Sequence, residues 1–514
     1  MTATTVPAAF DEAPPEAVFL YAGDEVITYH RFDKLTGHIA CGLLARGVRR
    51  GDRVGLYGLN QPEWLAVYVA AAKIGAIVVT LNVRYREREF DYMLNQSGAK
   101  MLVGPGRLAG FDYVALFDGM RERLPGVRDY VYTDDAGYAA LAATPVDGHA
   151  LAAARAAVRP DDPVIILYTS GTTGLPKGAV ITQASILASA RAQAAHTGLL
   201  PSDTVLGHLP LNHVGGITCS VMAAVVSGAA VALVPAFSPS ATLEVAERRR
   251  ATVFGGVPTM FVLMLGDPSF PGRDLSSVRM CVAGGSNVDP SLHAAIVGSF
   301  PGARVFTLYG LSETSGACVM SAPDDDAATV ARTLGVALAG CDHRVAGPDG
   351  AELPAGEAGE LQVRGDCVAR GYWELPEESA ATFLPGGWLA TGDIVAAEPD
   401  GHLVLLGRLK EMYISGGFNV YPVEIENLLA THPGVALAAG IGVPDPVLGE
   451  VGRFYVVPKP DAPAPTAAEL EAFCRAHLAD YKVPKQFAIT ADLPLTPVGK
   501  VRKAELRSRY LAER

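Results

Sequence analysis

The segment Tyr168-Thr-Ser-Gly-Thr-Thr-Gly-Leu-Pro-Lys-Gly178 follows directly on the apolar run 164–167. Its glycines let the backbone turn tightly and approach a ligand, and successive N–H groups in such a turn form a nest for an anion. Thr169, Ser170, Thr172 and Thr173 add hydroxyl donors, and Lys177 adds a positive charge. That combination suits a polyphosphate. It is not a Walker A loop, because no Gly-Lys-Ser/Thr stands at the required spacing. An ordinary strand-to-helix turn would need neither so many hydroxyls nor a lysine.

Four further segments carry chemistry-bearing residues. Tyr309-Gly-Leu-Ser-Glu-Thr314 follows the apolar run 305–308. Tyr309 could stack on a purine and Ser312 could hold a phosphate or carboxylate oxygen. Glu313 suits Mg²⁺, which prefers one or two carboxylates together with phosphate oxygens and water. In Leu389-Ala-Thr-Gly-Asp393, a carboxylate set by a Thr-Gly turn can accept both hydroxyls of a ribose, with Arg408 further along the chain. A glycine-containing stretch runs from Gly407 to Glu426, and a basic loop, Pro497-Val-Gly-Lys-Val-Arg-Lys503, stands close to the C-terminus. Taken singly, Asp393 reads as a solvated turn residue and the basic loop as a solvated end.

These segments must be positioned by regular elements. Residues 52–58 read as a buried strand, 62–75 as a helix closed by Gly75, and 76–82 as the next strand. The apolar runs recur at 164–170, 229–234, 251–257, 278–285 and 303–310. Strand-helix-strand alternation of this kind predicts an α/β fold with a parallel sheet covered on both faces. Several runs end in Gly, Ser or Thr, and ligands of open α/β sheets sit beyond the carboxyl ends of the strands. From about residue 335 short strands and Gly/Pro turns take over, which predicts a small β subdomain over about 335–409. The expected organisation is therefore a large N-terminal domain of parallel-rich sheets, residues 1–409 with that subdomain, and a smaller α+β C-terminal domain, 410–514.

Composition narrows the function classes. A chain of 514 residues exceeds what one hydrophobic core organises, so two or more domains are expected. A hydrophobic fraction of 49% with 19% charged residues describes a globular protein. The net charge of -12 argues against a general binder of nucleic acid or anionic membrane. The 7 cysteines are scattered and never spaced C-x-x-C, which points to a reducing cytoplasm rather than to a disulfide framework or a zinc site. The N-terminus lacks the basic start and apolar run of a signal peptide. Residues 214–243 lack Asp, Glu, Lys and Arg, but Gly215, Gly216, Gly228 and Pro235 break them into helix, turn and strand. No apolar run reaches the ~20 residues of a membrane span.

Together, in this order, the five segments resemble the adenylate-forming superfamily of acyl-CoA synthetases, adenylation domains and luciferases. The resemblance covers nearly the whole chain, and Glu411–Glu426 is especially similar to bacterial acyl-CoA synthetases of the fatty-acid-ligase type. It implies that a carboxylic acid is activated as its acyl-adenylate at the expense of ATP, with Mg²⁺, and then transferred to CoA. Thr169, Ser170, Gly171, Thr172, Thr173, Gly174 and Lys177 would cradle the β- and γ-phosphates. Gly285, Ser286, Tyr309, Gly310, Leu311, Ser312, Asp393 and Arg408 would hold the nucleotide, and Glu313 the metal. His213, Val214, Gly215, Val257, Gly284 and Thr314 would line the acyl pocket. Lys500 would bridge the substrate carboxylate and the α-phosphate. Rotation of a mobile C-terminal domain about Lys410 would then withdraw Lys500 and bring in the Ser415-Gly416-Gly417 turn for CoA.

Two departures stand out. Thr182-Gln183 replaces the Thr-His common in the family, and Pro210-Leu-Asn-His213 carries Asn212 where an aromatic residue is usual. His213 keeps a gate-like place, although a buried, hydrogen-bonded histidine accounts for it equally well. The candidate pocket segments 213–218, 256–260, 281–286 and 314–317 contain no charged side chain. A dicarboxylate or amino acid would need a charged partner on desolvation, so a neutral fatty, alicyclic or aryl monocarboxylate is expected. The rival expectation is an adenylating enzyme that delivers the acyl group to a carrier protein, an amine or a hydroxyl.

Overall fold

In the computed structural model the described residues are all but 1–2, 170–174, 286–287, 289, 461, 496–500 and 514. Ser170, Gly171, Thr172, Thr173, Gly174, Ser286 and Lys500 therefore lie outside the described residues.

Two parallel-rich sheets form the large N-terminal part. The nine-stranded sheet runs Val336–Ala337, Gly316–Met320, Arg304–Leu311, Met280–Gly284, Val253–Gly256, Thr204–Gly207, Ala230–Leu233, Val18–Ala22, Glu25–Thr28. From Arg304–Leu311 to Val18–Ala22 its strands are parallel, and both edges are antiparallel. The six-stranded sheet runs Lys177–Thr182, Pro163–Thr169, Ile77–Leu81, Arg53–Tyr57, Met101–Gly104, Asp129–Tyr132, parallel except for the first strand.

The expected strands are present within a residue or two of their anticipated ends. Buried parallel strands read as unbroken apolar runs because both faces are covered. Helix Pro62–Lys73 begins on a proline at its first turn and is buried from Trp64 to Lys73. A helix apolar on every side belongs inside. Its one buried cation, Lys73, is satisfied by the Asp33 carboxylate at 2.6 Å and the Thr36 hydroxyl at 2.7 Å.

Helix Gln183–Thr197 packs between the sheets. It starts where strand Lys177–Thr182 ends, with the Thr182 hydroxyl accepting the Ser185 N–H as an N-cap. The Ser189 hydroxyl then donates to the Ala317 carbonyl of the nine-stranded sheet at 3.0 Å. Gln183, one of the two departures, is fully buried, and its side-chain oxygen accepts the Val6 N–H at 2.9 Å. It fastens the N-terminal helix Val6–Glu12 to this layer.

The charge-free stretch resolves into helix Val214–Gly216, a π-helix Ile217–Met222, helix Ala223–Ser227 and strand Ala230–Leu233. No helix among the described residues is long and apolar enough to cross a membrane. Beyond residue 340 a five-stranded antiparallel sheet follows, built from Cys341–Ala346, Ala358–Gly365, Phe383–Leu384, Trp388–Ala397 and Leu403–Arg408. Val336–Ala337, anticipated in this group, instead pairs with the edge of the nine-stranded sheet. The last part of the chain has its own five-stranded sheet and its own buried clusters around Phe454 and Tyr455.

Candidate active site

At the carboxyl ends of the nine-stranded sheet Gly255, Val257, Gly284, Gly285, Tyr309, Gly310 and Leu311 are half-buried, while the same strands are buried further back. Two glycines there answer to close packing. A Cβ on Gly284 would lie 2.4 Å from the Leu308 carbonyl oxygen, and Gly285 has φ 81°. Gly255 is different. A Cβ built on it meets no atom within 4 Å, so the sheet leaves empty space beside it.

Alternation places Gly255 on the face of Val253, which shares a core cluster with Val214, Ile217 and Val221. The opening thus lies on the side of the sheet where the His213–Ser227 helical segment packs. That segment begins with His213, whose Nδ1 accepts the Gly215 N–H at 3.1 Å and caps the helix. Val214 is buried in the core. Thr314 is fully buried, and its hydroxyl accepts the Leu311 N–H at 2.9 Å and donates to the Gly316 carbonyl at 2.7 Å. Its side chain holds the 311–316 turn.

Asp393, 2% exposed, meets the end of strand Arg304–Leu311 through Tyr309. Its Oδ2 accepts the Tyr309 O–H at 2.7 Å and its Oδ1 lies 2.9 Å from Arg408 Nε. The strand pairing explains the meeting, since Asp393 and Arg408 are direct cross-strand partners. The Asp393 N–H donates to Thr391 Oγ1 at 3.1 Å, and Gly392 takes the left-handed φ of 72° that this turn requires. Burial and the adjacent Asp393 carboxylate hold the Tyr309 phenol far above its ordinary range, so it stays protonated. Asp393 likewise raises the Arg408 guanidinium. Both Asp393 oxygens thus hold a donor, which fixes the carboxylate in place.

The residues flanking the candidate phosphate segment belong to strands Pro163–Thr169 and Lys177–Thr182, paired antiparallel with Lys177 opposite Thr169. The segment thus stands between two strands, and the helix begins only at Gln183. Lys177 Nζ lies 5.2 Å from the ring centroid of Tyr372. The Tyr372 O–H donates to Glu313 Oε1 at 2.8 Å. Burial first, and then this carboxylate, raise the Tyr372 phenol well above its usual range. Among the described residues no group of three or more His, Cys, Asp or Glu converges on one point. A single half-buried carboxylate, supplemented by phosphate oxygens and water, is a donor set that suits Mg²⁺.

Residues 8–373 match the AMP-binding enzyme family, and residues 424–500 match the AMP-binding enzyme C-terminal domain. The chain belongs to the AMP-binding enzymes. A relative from Mycobacterium tuberculosis is 38% identical over 511 residues, covering 98% of each chain. That protein is a CoA ligase named for a 7a-methyl-1,5-dioxo-octahydro-1H-inden-4-yl propanoyl group. The ATP-bound crystal structure of MatB from Rhodopseudomonas palustris is 30% identical, covers 99% of each chain and superposes with a TM-score of 0.87. The amide bond synthetase McbA from Marinactinospora thermotolerans is 29% identical, covers 98% of this chain and 99% of its own, with a TM-score of 0.88. The fold is that of these adenylate-forming ligases, a large parallel-rich N-terminal part with a smaller C-terminal one.

In this family frame the C-terminal candidates fall on a turn and a hairpin. Lys410 is exposed in the turn after Arg408, where the Leu409 N–H donates to the Gly392 carbonyl at 2.9 Å. Gly416 and Gly417, with φ 58° and 87°, form the two-residue turn between strands Tyr413–Ser415 and Phe418–Val420. Positive φ at both positions is what a type I′ hairpin demands, so both glycines have a backbone reason to be there. Gly417 also faces open space, and Phe418 beside it is exposed and stacked on Tyr481 at 4.5 Å. Tyr372 and the opening at Gly255 were not anticipated from sequence. The sequence signal for Tyr372 was slight: an aromatic residue after Gly371, outside any apolar pattern.

Proposed function

We propose that this AMP-binding enzyme joins a neutral, bulky carboxylic acid to CoA through an acyl-adenylate, releasing AMP and pyrophosphate. The observation that carries this reading is the pair of contact groups Tyr309–Asp393–Arg408 and Lys177–Tyr372–Glu313, joined through the 309–313 segment, with open space beside Gly255 two strands away in the same sheet.

In the first step a carboxylate oxygen attacks the α-phosphorus, and the bond to the β-phosphate oxygen breaks. Two anions approach each other, so a cation must stand where the charge develops. Lys500 takes this role, and Lys177 with the 169–174 loop holds the β- and γ-phosphates. Asp393 accepts the ribose hydroxyls while Arg408 and Tyr309 hold its carboxylate in place. Glu313 holds Mg²⁺, which when bound offsets the charge of the departing pyrophosphate. In the second step the CoA thiolate attacks the acyl carbonyl and AMP leaves with the electron pair. The Ser415–Gly417 hairpin, brought to this site by rotation about Lys410, admits the pantetheine arm. The domains divide at about residue 410, and a reducing cytoplasm suits the free cysteines, among them Cys41, Cys281 and Cys474.

The likeness to an amide bond synthetase favours one alternative, an amine as acceptor. Both are tested by incubating the protein with ATP, Mg²⁺ and a panel of acids, with CoA or with amines. Pyrophosphate release with acyl-CoA formation is expected for neutral ring-bearing acids. Pyrophosphate with amide but never thioester would replace CoA by an amine, and inertness toward every acid would overturn the enzymatic reading.

A further inference from the structure

Tyr372 touches both charged groups assigned above to the metal and the phosphates. Its O–H donates to Glu313 Oε1 at 2.8 Å, and its ring face lies 5.2 Å from Lys177 Nζ. The backbone around it is pinned from several directions. The Ala369 N–H donates to the Glu313 carbonyl at 2.8 Å, and the Trp373 N–H to the Gly178 carbonyl at 2.8 Å. The Tyr372 N–H itself donates to the Ser379 hydroxyl at 2.9 Å. Residues 369–373 thus run as a strap along strand Lys177–Thr182 and end on the turn that carries Glu313.

We propose that Tyr372 is a positioning residue for adenylate formation: its hydroxyl turns Glu313 toward the metal that accompanies ATP, and its ring sets Lys177 toward the phosphates. A carboxylate that accepts a hydrogen bond on one oxygen presents the other in a fixed direction, and such outer partners tune a ligand's grip on its metal. An aromatic face draws an ammonium group over it and limits the directions that group samples. One side chain therefore sets both the carboxylate and the ammonium before ATP arrives. The proposal rests on the assignment of Glu313 and Lys177 given above.

The test uses the full chain with Tyr372→Phe, Tyr372→Leu and, as a reference, Glu313→Gln. Mn²⁺ binding is followed by electron paramagnetic resonance in the presence of α,β-methylene-ATP, which cannot react. Tyr372→Phe keeps the ring and is expected to weaken Mn²⁺ binding on the order of 10-fold. The Mg²⁺ concentration for half-maximal pyrophosphate release should rise in parallel, while thioester formation from supplied acyl-adenylate stays unchanged. Tyr372→Leu should in addition weaken metal-free binding of the analogue about 3-fold. If Tyr372→Leu does not fold, Tyr372→Phe decides the question alone. Unchanged Mn²⁺ binding in Tyr372→Phe, with binding lost in Glu313→Gln, overturns the role of Tyr372 and leaves the reading of the site intact. Unchanged binding in Glu313→Gln overturns that reading itself. Equal loss of both half-reactions in Tyr372→Phe makes the residue merely structural and also overturns the proposal.

Discussion

Replacing Gly255 by valine should stabilise the fold slightly while damaging the enzyme selectively. A Cβ at this position meets nothing within 4 Å, so the new side chain enters space the protein leaves empty. Gly255 lies inside strand Val253–Gly256, where glycine is the weaker residue and valine a favoured one. The expected stability change is therefore neutral to a gain of about 1 kcal/mol. The same space is the proposed acyl pocket, on the face shared with the His213–Ser227 segment. An acid that needs it must then displace packed groups, which costs about 1–3 kcal/mol. At 1.36 kcal/mol per tenfold, kcat/KM for a bulky ring-bearing acid falls roughly 5- to 150-fold, while a short acid such as propionate keeps its rate within about 2-fold. Gly255→Ala should fall between the two. The assay is pyrophosphate release across acids of increasing size, with thermal unfolding of each variant alongside. A uniform loss across all acids, or a clear fall in Tm, would refute the reasoning, because either means that the space is not a pocket for the acyl group.

Lys500→Ala should lower acyl-adenylate formation on the order of 10²- to 10³-fold and leave thioester formation from supplied acyl-adenylate largely intact; equal loss of both counts against a lysine that serves one step. Gln183→Leu strands the buried Val6 N–H and should cost about 1–3 kcal/mol of stability in urea denaturation, with the KM for ATP unmoved. A changed KM would place Gln183 at the nucleotide instead. His402 stands 2.9 Å from Asp325 and 3.0 Å from Asp400; burial lowers its pKa, but the two carboxylates outweigh it and the net shift is upward. A raised folded value adds stability that is full below the ordinary imidazole pKa and disappears as pH rises through the raised one. Denaturation midpoints followed upward from about pH 5 should therefore decline in this range, and His402→Gln should flatten the decline.

The seven strands read from apolar runs, and the helix 62–75 between two of them, were legible because their burial is written in the residues themselves. A continuous apolar run such as 164–167 has few structures open to it. Side chains whose roles depend on partners far away in sequence were not legible in that way. Gln183 reads as a departure from a motif until Val6 is seen to lie against it. Tyr309 and Asp393 were each expected at the nucleotide on separate grounds, but only the fold joins the phenol to the carboxylate. The π-helix Ile217–Met222 was out of reach for another reason. In a charge-free run of small and apolar residues, periodicity does not separate an i→i+4 from an i→i+5 ladder. Such segments often mark functional sites, and this one lies on the side of the sheet where Gly255 opens.

The proposed reaction makes opposite demands on its cations, and the chain distributes them accordingly. Lys177 and Arg408 belong to strands, and their positions are fixed by cross-strand pairing with Thr169 and Asp393. Such groups suit the ribose and the pyrophosphate, whose places do not change while the adenylate forms. In the proposed reaction the cation between carboxylate and α-phosphate is needed only while two anions meet. Lys500 belongs to the part of the chain beyond the Lys410 turn. Lys503, close behind it, is bound at 2.6 Å to Glu411, the residue after Lys410, and at 2.8 Å to Glu426. A change of backbone angle at Lys410 would thus be passed through Glu411 to Lys503, three residues from Lys500, the proposed catalytic lysine, while the strand-borne cations stay where they are.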